Sequence, residues 1–255
     1  MSERKKRTVL LTNDDGYFSN GINTLCKELS KFARVYIVAP DKEQSASSHS
    51  LTLNRPLRVN KIDRNCYITD GTPTDCVMLA IHMLFKKKPP DMIISGINHG
   101  ANMGDDVTYS GTVAAAIEGS IMKIPSIAAS MVNYRPGMSL LNAARFICSF
   151  VKMYDRLNLN PETFININFP YLNGKPYKKY AVTRLGLRQY HDIIIHKTDP
   201  RGIPYYWIGG EAKWTSTEGS DFEAIEKKKV SITPLKLNFT DADSMAVLNQ
   251  TKLKF

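Results

Sequence analysis

Two kinds of apolar pattern alternate along the chain. Short, nearly continuous apolar runs occur at Thr8–Thr12, Val35–Pro40, Asp91–Gly96 and Ser126–Ser130. Between them, Gly21–Phe32, Thr74–Phe85 and the segment beginning at Thr112 place apolar residues every three or four positions. The runs predict strands buried on both faces, and the 3.6-residue period predicts helices packed on them. This rhythm of strand, helix and strand predicts an α/β fold, a three-layer α/β/α sandwich on a mostly parallel, Rossmann-like sheet. Leu140–Tyr154 adds a helix, and Thr163–Phe169 adds a strand that Pro170 stops.

Beyond Tyr171 the pattern changes to aromatic and β-branched segments broken by Gly and Pro, such as Ala181–Leu185 and Tyr205–Gly210. These predict C-terminal β-hairpin arms. Tyr205-Tyr206-Trp207 would be costly to expose in a monomer, so dimerisation through the arms is expected. A strand at Val230–Pro234 restores order, and Thr240 is the expected N-cap of a last helix with Asp241 and Asp243 in its first turn. With no repeat and no clear linker, residues 1–255 read as one domain. Its core is residues 1–170; residues 171–255 carry the arms, the closing strand and the last helix.

Charge widens the choice of partners without deciding it. A formal net charge of +10 suits small anionic substrates or nucleic acid. The basic residues are dispersed apart from Arg4–Arg7, Lys86–Lys88 and Lys227–Lys229, which favours solvated element ends over a nucleic-acid groove. Cys26, Cys66, Cys76 and Cys148 form no Cys-x-x-Cys pair, and the apolar run behind the basic N-terminus is too short for a signal peptide. No apolar run reaches membrane-spanning length. A cytoplasmic protein is expected.

Ligands of an open α/β sheet gather beyond the carboxyl ends of its strands, so the loops there carry the candidate chemistry. Asn13-Asp14-Asp15-Gly16 follows the first strand, the serine-rich Asp41–Ser50 the second, and Asn98–Thr112 a later one. Adjacent carboxylates repel unless a cation or a proton lies between them. Oxygens from Asp14, Asp15, Ser45 and Asn98 suit one divalent metal ion, magnesium or manganese, and no Cys/His cluster competes for zinc. Taken singly, each has a plainer reading: a turn for the aspartates, a loop hydroxyl for Ser45, and left-handed backbone for Asn98. Their common edge strengthens the metal reading.

Tyr109-Ser110-Gly111-Thr112 opens a helix whose free N–H groups and dipole suit a phosphate oxygen, although a Ser/Thr cap alone would look the same. The preceding glycines, in Gly100-Ala101-Asn102-Met103-Gly104, suggest close backbone approach to a ligand. Dinucleotide, P-loop, zincin and nucleophile-elbow motifs are all missing from the sequence. His49 lies among serines, but no orienting acid can be assigned to it; His99 and His191 likewise read as ordinary histidines.

Thr12–Gly16, Ala39–Ser45, Gly71–Asp75, Ser95–Asn98 and Tyr109–Thr112 occur in order, followed by Ile165–Pro170, Asp199–Gly210 and Ser231–Pro234. With these segments the chain closely resembles the SurE survival-protein nucleotidases over nearly its whole length. The resemblance implies hydrolysis of nucleoside 5'- and 3'-monophosphates, some relatives also trimming short polyphosphate, and dimers or tetramers built through C-terminal arms. It also places metal ligands on Asp14, Asp15, Ser45 and Asn98, and phosphate contacts on Asn102, Ser110, Gly111 and Thr112. Ser47-Ser48-His49-Ser50 departs from the Ser-Asn-Ser often seen in relatives, which bears on base preference. The expected reaction is phosphomonoester hydrolysis by water activated at the metal, with Asp14, Asp15 and Asn98 as catalytic residues. A nucleotide sensor without turnover and a basic nucleic-acid binder are the competing readings.

Overall fold

The structure is a computed structural model that describes residues 6–189, 194–208 and 213–251. The expected rhythm appears as β1 (Thr8–Thr12), α1 (Asn20–Leu29), β2 (Arg34–Pro40), β3 (Val59–Asp63), β4 (Cys66–Thr69), α2 (Pro73–Leu84) and β5 (Met92–His99). It continues through α3 (Gly111–Ile121), β6 (Ser126–Met131), α4 (Leu141–Met153), β7 (Thr163–Phe169) and β8 (Tyr180–Val182). Among the described residues one nine-stranded sheet runs β3-β4-β2-β1-β5-β6-β7, then β13 (Val230–Lys236) and β8. Its centre is parallel; β3 on β4 and β13 on β7 are the antiparallel pairs.

Both sheet faces are covered. Leu25 and Leu29 of α1 and Ile147 and Val151 of α4 pack over Val9, Leu11, Ile94 and Ile127. On the other face, Cys76, Val77 and Ala80 of α2 and Ala115 of α3 meet Leu10, Val38 and Ile93. Central strands therefore lose polar alternation, because every side chain points into a packed layer.

The arms comprise β9 (Leu187–Gln189), β10 (Ile194–Thr198), β11 (Pro204–Ile208) and β12 (Lys213–Thr215). β10 pairs antiparallel with β11, and β12 with β9. The end of the expected Tyr205–Gly210 segment and His191 lie outside the described residues. A short helix, α5 (Asp221–Glu226), then precedes β13, and α6 (Ala242–Gln250) closes the chain with no buried residue.

Several boundaries move. α1 stops at Leu29, since Ser30, Phe32 and Ala33 fold back onto the last helical carbonyls as a turn. β5 runs past Gly96 to His99 across a register shift. Thr240 does not cap the last helix: the Asp241 carboxylate accepts from the Asp243 and Ser244 amides, a geometry that needs an acceptor at that position. The β3–β4 hairpin is absent from the expectations above because Val59–Asp63 is largely exposed and polar.

Candidate active site

The carboxyl ends of β1, β2, β5, β6 and β7 line one edge, and the loops beyond them build the site. After β1 the chain turns sharply. The buried Asn13 amide fixes that turn by donating to the Gly16 carbonyl at 2.9 Å and the Ser19 hydroxyl at 2.8 Å. Asp14 is thereby directed at the start of α3. There its Oδ1 accepts the Thr112 hydroxyl at 2.5 Å and its Oδ2 accepts the Thr112 amide at 3.0 Å.

The contact leaves little room for a side chain at the first position of α3. A Cβ on Gly111 would lie 2.6 Å from Ser47 Oγ and 3.0 Å from Asp14 Cβ. On the other side, the Asp14 carbonyl accepts the Gln44 amide at 2.7 Å, which draws the loop after β2 to the same edge. Ser45 arrives with that loop, its hydroxyl donating to Glu43 Oε1 at 2.6 Å.

Asp15 faces β5. Its Oδ2 accepts the His99 amide at 3.1 Å, while its Oδ1 lies 3.4 Å from His99 Nδ1. The His99 ring stacks on Tyr134, with centroids 3.9 Å apart and planes 5° from parallel. Beside it, the Asn98 amide nitrogen donates to the Gly100 carbonyl at 3.1 Å, which leaves its oxygen as the group for a cation.

The loop after β5 is anchored at Asn102. Its amide donates to Asn168 Oδ1 at 2.9 Å, and its carbonyl accepts from the Asn166 and Asn168 side chains at 2.8 and 2.9 Å. Its own side chain donates to Ser130 Oγ at 2.7 Å, leaving one amide N–H as a donor. Ser110 caps α3 by accepting the Val113 amide at 3.0 Å. A serine cap of this kind keeps its O–H to donate elsewhere.

The electrostatics follow from burial. Loss of water raises the Asp14 pKa above the ordinary carboxylate range, opposed by the bonds from Thr112, with the Glu43 charge adding a smaller upward push. Asp15 is pushed up to about 7, first by burial and then by the charge on Asp14. Two carboxylates held in this state, with the Asn98 oxygen beside Asp15 and the loop carrying Ser45 at the same edge, offer oxygen donors of the kind that fits a hard divalent cation. Among the described residues no three His, Cys, Asp or Glu side chains group to hold a metal. A cation here would therefore depend on the two neutral oxygens.

The structure thus brings Asp14, Asp15, Asn98, Gly111 and Thr112 together, with Ser110 as the cap beside them and Ser45 turned toward Glu43. It also supplies the acid that the sequence could not assign to His49: Glu118 of α3, whose Oε2 lies 2.9 Å from His49 Nε2. That pair ties the serine loop to α3. Ser130, Asn166 and Asn168 were missed by sequence reasoning. The available signal was Ile165-Asn166-Ile167-Asn168, two amides on one face of a strand otherwise buried on both.

Comparison with known proteins places the chain in a family. Residues 9–192 match the family model described as Survival protein SurE. A 5'-nucleotidase SurE of Pelobacter propionicus is 48% identical over 241 residues, covering 94% of this chain and 97% of the relative. Another, of Geotalea daltonii, is 46% identical over 246 residues, covering 96% and 99%. The crystal structure of the SurE protein from Aquifex aeolicus superposes with a TM-score of 0.83 at 40% identity, covering 95% of this chain and all of that one. The chain belongs to the SurE survival-protein family.

Proposed function

We propose that the chain is a phosphomonoesterase that hydrolyses nucleoside 5'-monophosphates, with 3'-monophosphates and short-chain polyphosphate as further substrates, and that it uses one magnesium or manganese ion. The observation carrying this reading is the pair Asp14–Asp15 at the sheet edge, Asp14 buried and set against the start of α3, Asp15 partly buried and facing His99 of β5. The relatives named above are 5'-nucleotidases.

In this reading Asp14, Asp15, Ser45 and Asn98 hold the cation. When bound, it supplies Lewis acidity toward a phosphoryl oxygen and lowers the pKa of water. The Ser110 hydroxyl, the Gly111 amide and the remaining Asn102 N–H donate to the equatorial phosphoryl oxygens, since phosphoryl transfer depends on positioning and charge stabilisation. Thr112 contributes through Asp14, because both of its donors are directed there. That grip also disfavours Asp14 as a nucleophile: each of its oxygens already accepts a hydrogen bond. Water is the better attacking group.

Homo-oligomers built through the arms fit the exposure of Tyr206 and Trp207, at 64% and 63%. Free Cys26, Cys66, Cys76 and Cys148 fit a reducing compartment such as the cytoplasm, and among the described residues no helix is long and apolar enough to cross a membrane.

The test is phosphate release from a panel of mononucleotides with magnesium, with manganese and after exhaustive chelation. Turnover that needs the metal and is abolished by Asp14→Asn is expected. Nucleotide binding without phosphate release would leave a sensor instead. Full activity in chelated protein would remove the metal from the reading.

A further inference from the structure

A phosphoryl site accounts for only part of a mononucleotide; the nucleoside must extend from it along the carboxyl edge. Among the described residues three open cavities are candidates. One, of about 400 Å³, lies between α1 and α4 and is lined by residues such as Lys27, Glu28 and Arg145. A second, of about 510 Å³, lies by Lys42, Glu43 and Arg55, but its Arg55 is already bound to Asp70 at 2.6 Å and no aromatic ring lines it.

The third, of about 660 Å³, opens where β6 and β7 end, and its volume falls within the ~300–1,000 Å³ of small-ligand sites. Asn133, Tyr134, Arg135, Met138, Tyr171 and Lys228 line it. It is joined to the proposed site through Tyr134 and His99. Tyr134 stacks on His99 at 3.9 Å, and the His99 amide holds Asp15 at 3.1 Å. Two phenol rings, a thioether and a planar guanidinium around one opening are groups that hold a heterocyclic base by stacking, with Asn133 and Arg135 able to hydrogen-bond its edge.

The turn carrying Arg135 is preformed. The Arg135 amide meets Met138 Sδ at 3.0 Å, the Met138 amide donates to the Arg135 carbonyl at 3.1 Å, and Asn20 at the head of α1 donates to the Met138 carbonyl at 3.2 Å. Arg135 and Tyr171 are exposed, Tyr171 by 49%, so neither is part of the core.

From this we infer that the cavity between Tyr134 and Tyr171 receives the nucleoside of the substrate, with the base against Tyr171 and Arg135, and so sets base preference. The inference rests on the nucleotidase reading.

Tyr171→Ala and Arg135→Ala test it with adenosine monophosphate, free adenosine and inorganic phosphate. KM for adenosine monophosphate should rise about tenfold or more with kcat little changed. Competitive inhibition by adenosine should weaken in parallel, while inhibition by inorganic phosphate stays within twofold of the parent. A KM within twofold of the parent overturns the assignment. So does an equal loss of phosphate inhibition, which would mean that the substitutions disturb the phosphoryl site. A parent chain that hydrolyses no mononucleotide removes the nucleotidase reading itself, a result distinct from either.

Discussion

Thr112 grips Asp14 with both of its donors, the hydroxyl on Oδ1 at 2.5 Å and the amide on Oδ2 at 3.0 Å. One residue of α3 thus orients the first carboxylate beyond β1. Thr112→Ala keeps the amide bond and loses the hydroxyl, so Asp14 gains rotational freedom. Groups that orient a metal ligand are typically worth about 10–100-fold in activity or metal affinity. Turnover should fall by that order in Thr112→Ala and return in Thr112→Ser; manganese titration followed by calorimetry should show the same ordering. Equal affinities in all three proteins would mean that the bond does not orient the site.

The Asp15 pKa, near 7 in the metal-free chain, gives a pH signature. Because it is raised above the carboxyl's ordinary value, its contribution to stability is fully present below about pH 4 and is lost as pH rises through about 7. The melting temperature of the metal-free protein should fall over that window relative to Asp15→Asn. Saturating magnesium or manganese should remove the difference, since the cation offsets the charge that burial penalises. Parallel melting curves for the two proteins across the window would refute the shift.

Ser110 caps α3, and in the proposed reading it also donates to the phosphoryl group. As a cap accepting the Val113 amide it is worth roughly 1 kcal/mol of stability. As a donor to the phosphoryl oxygens its loss should lower turnover by about 10²-fold or more. Ser110→Ala is expected to do both, read by thermal melting and by kcat at saturating metal. A lowered melting temperature with normal kcat would leave only the cap.

The pairing of β10 with β11 leaves Tyr206 and Trp207 exposed on one hairpin. If that surface joins subunits, the double substitution Tyr206→Glu and Trp207→Glu should reduce the mass measured by light scattering to that of one chain. An unchanged mass would place the interface elsewhere.

The layers were legible in the sequence because buried parallel strands and amphipathic helices leave strong periodic patterns; Val9–Leu11 and Leu140–Tyr154 are cases. The β3–β4 hairpin was not, since Asn60 and Lys61 on an exposed edge carry no such pattern. Asp14 and Asp15, beyond β1, and Asn98, near the end of β5, stand at the sheet edge where the sequence pattern places them. What Thr112 does was not legible. A helix-start hydroxyl looks alike whether it meets a ligand or a neighbouring carboxylate, and only the fold brings residues 14 and 112 together. The same holds for Glu118 and His49, which are 69 positions apart.

Asn102 is tied through both its amide and its carbonyl to side chains of β7, and through its own side chain to β6. The glycine-bearing stretch is therefore anchored at this point to the strands beneath it. An arriving phosphate would find its donor already in place, with little chain entropy left to lose on binding. If this loop does hold an anion, as proposed, most of its ordering is accomplished when the protein folds rather than at each encounter with substrate.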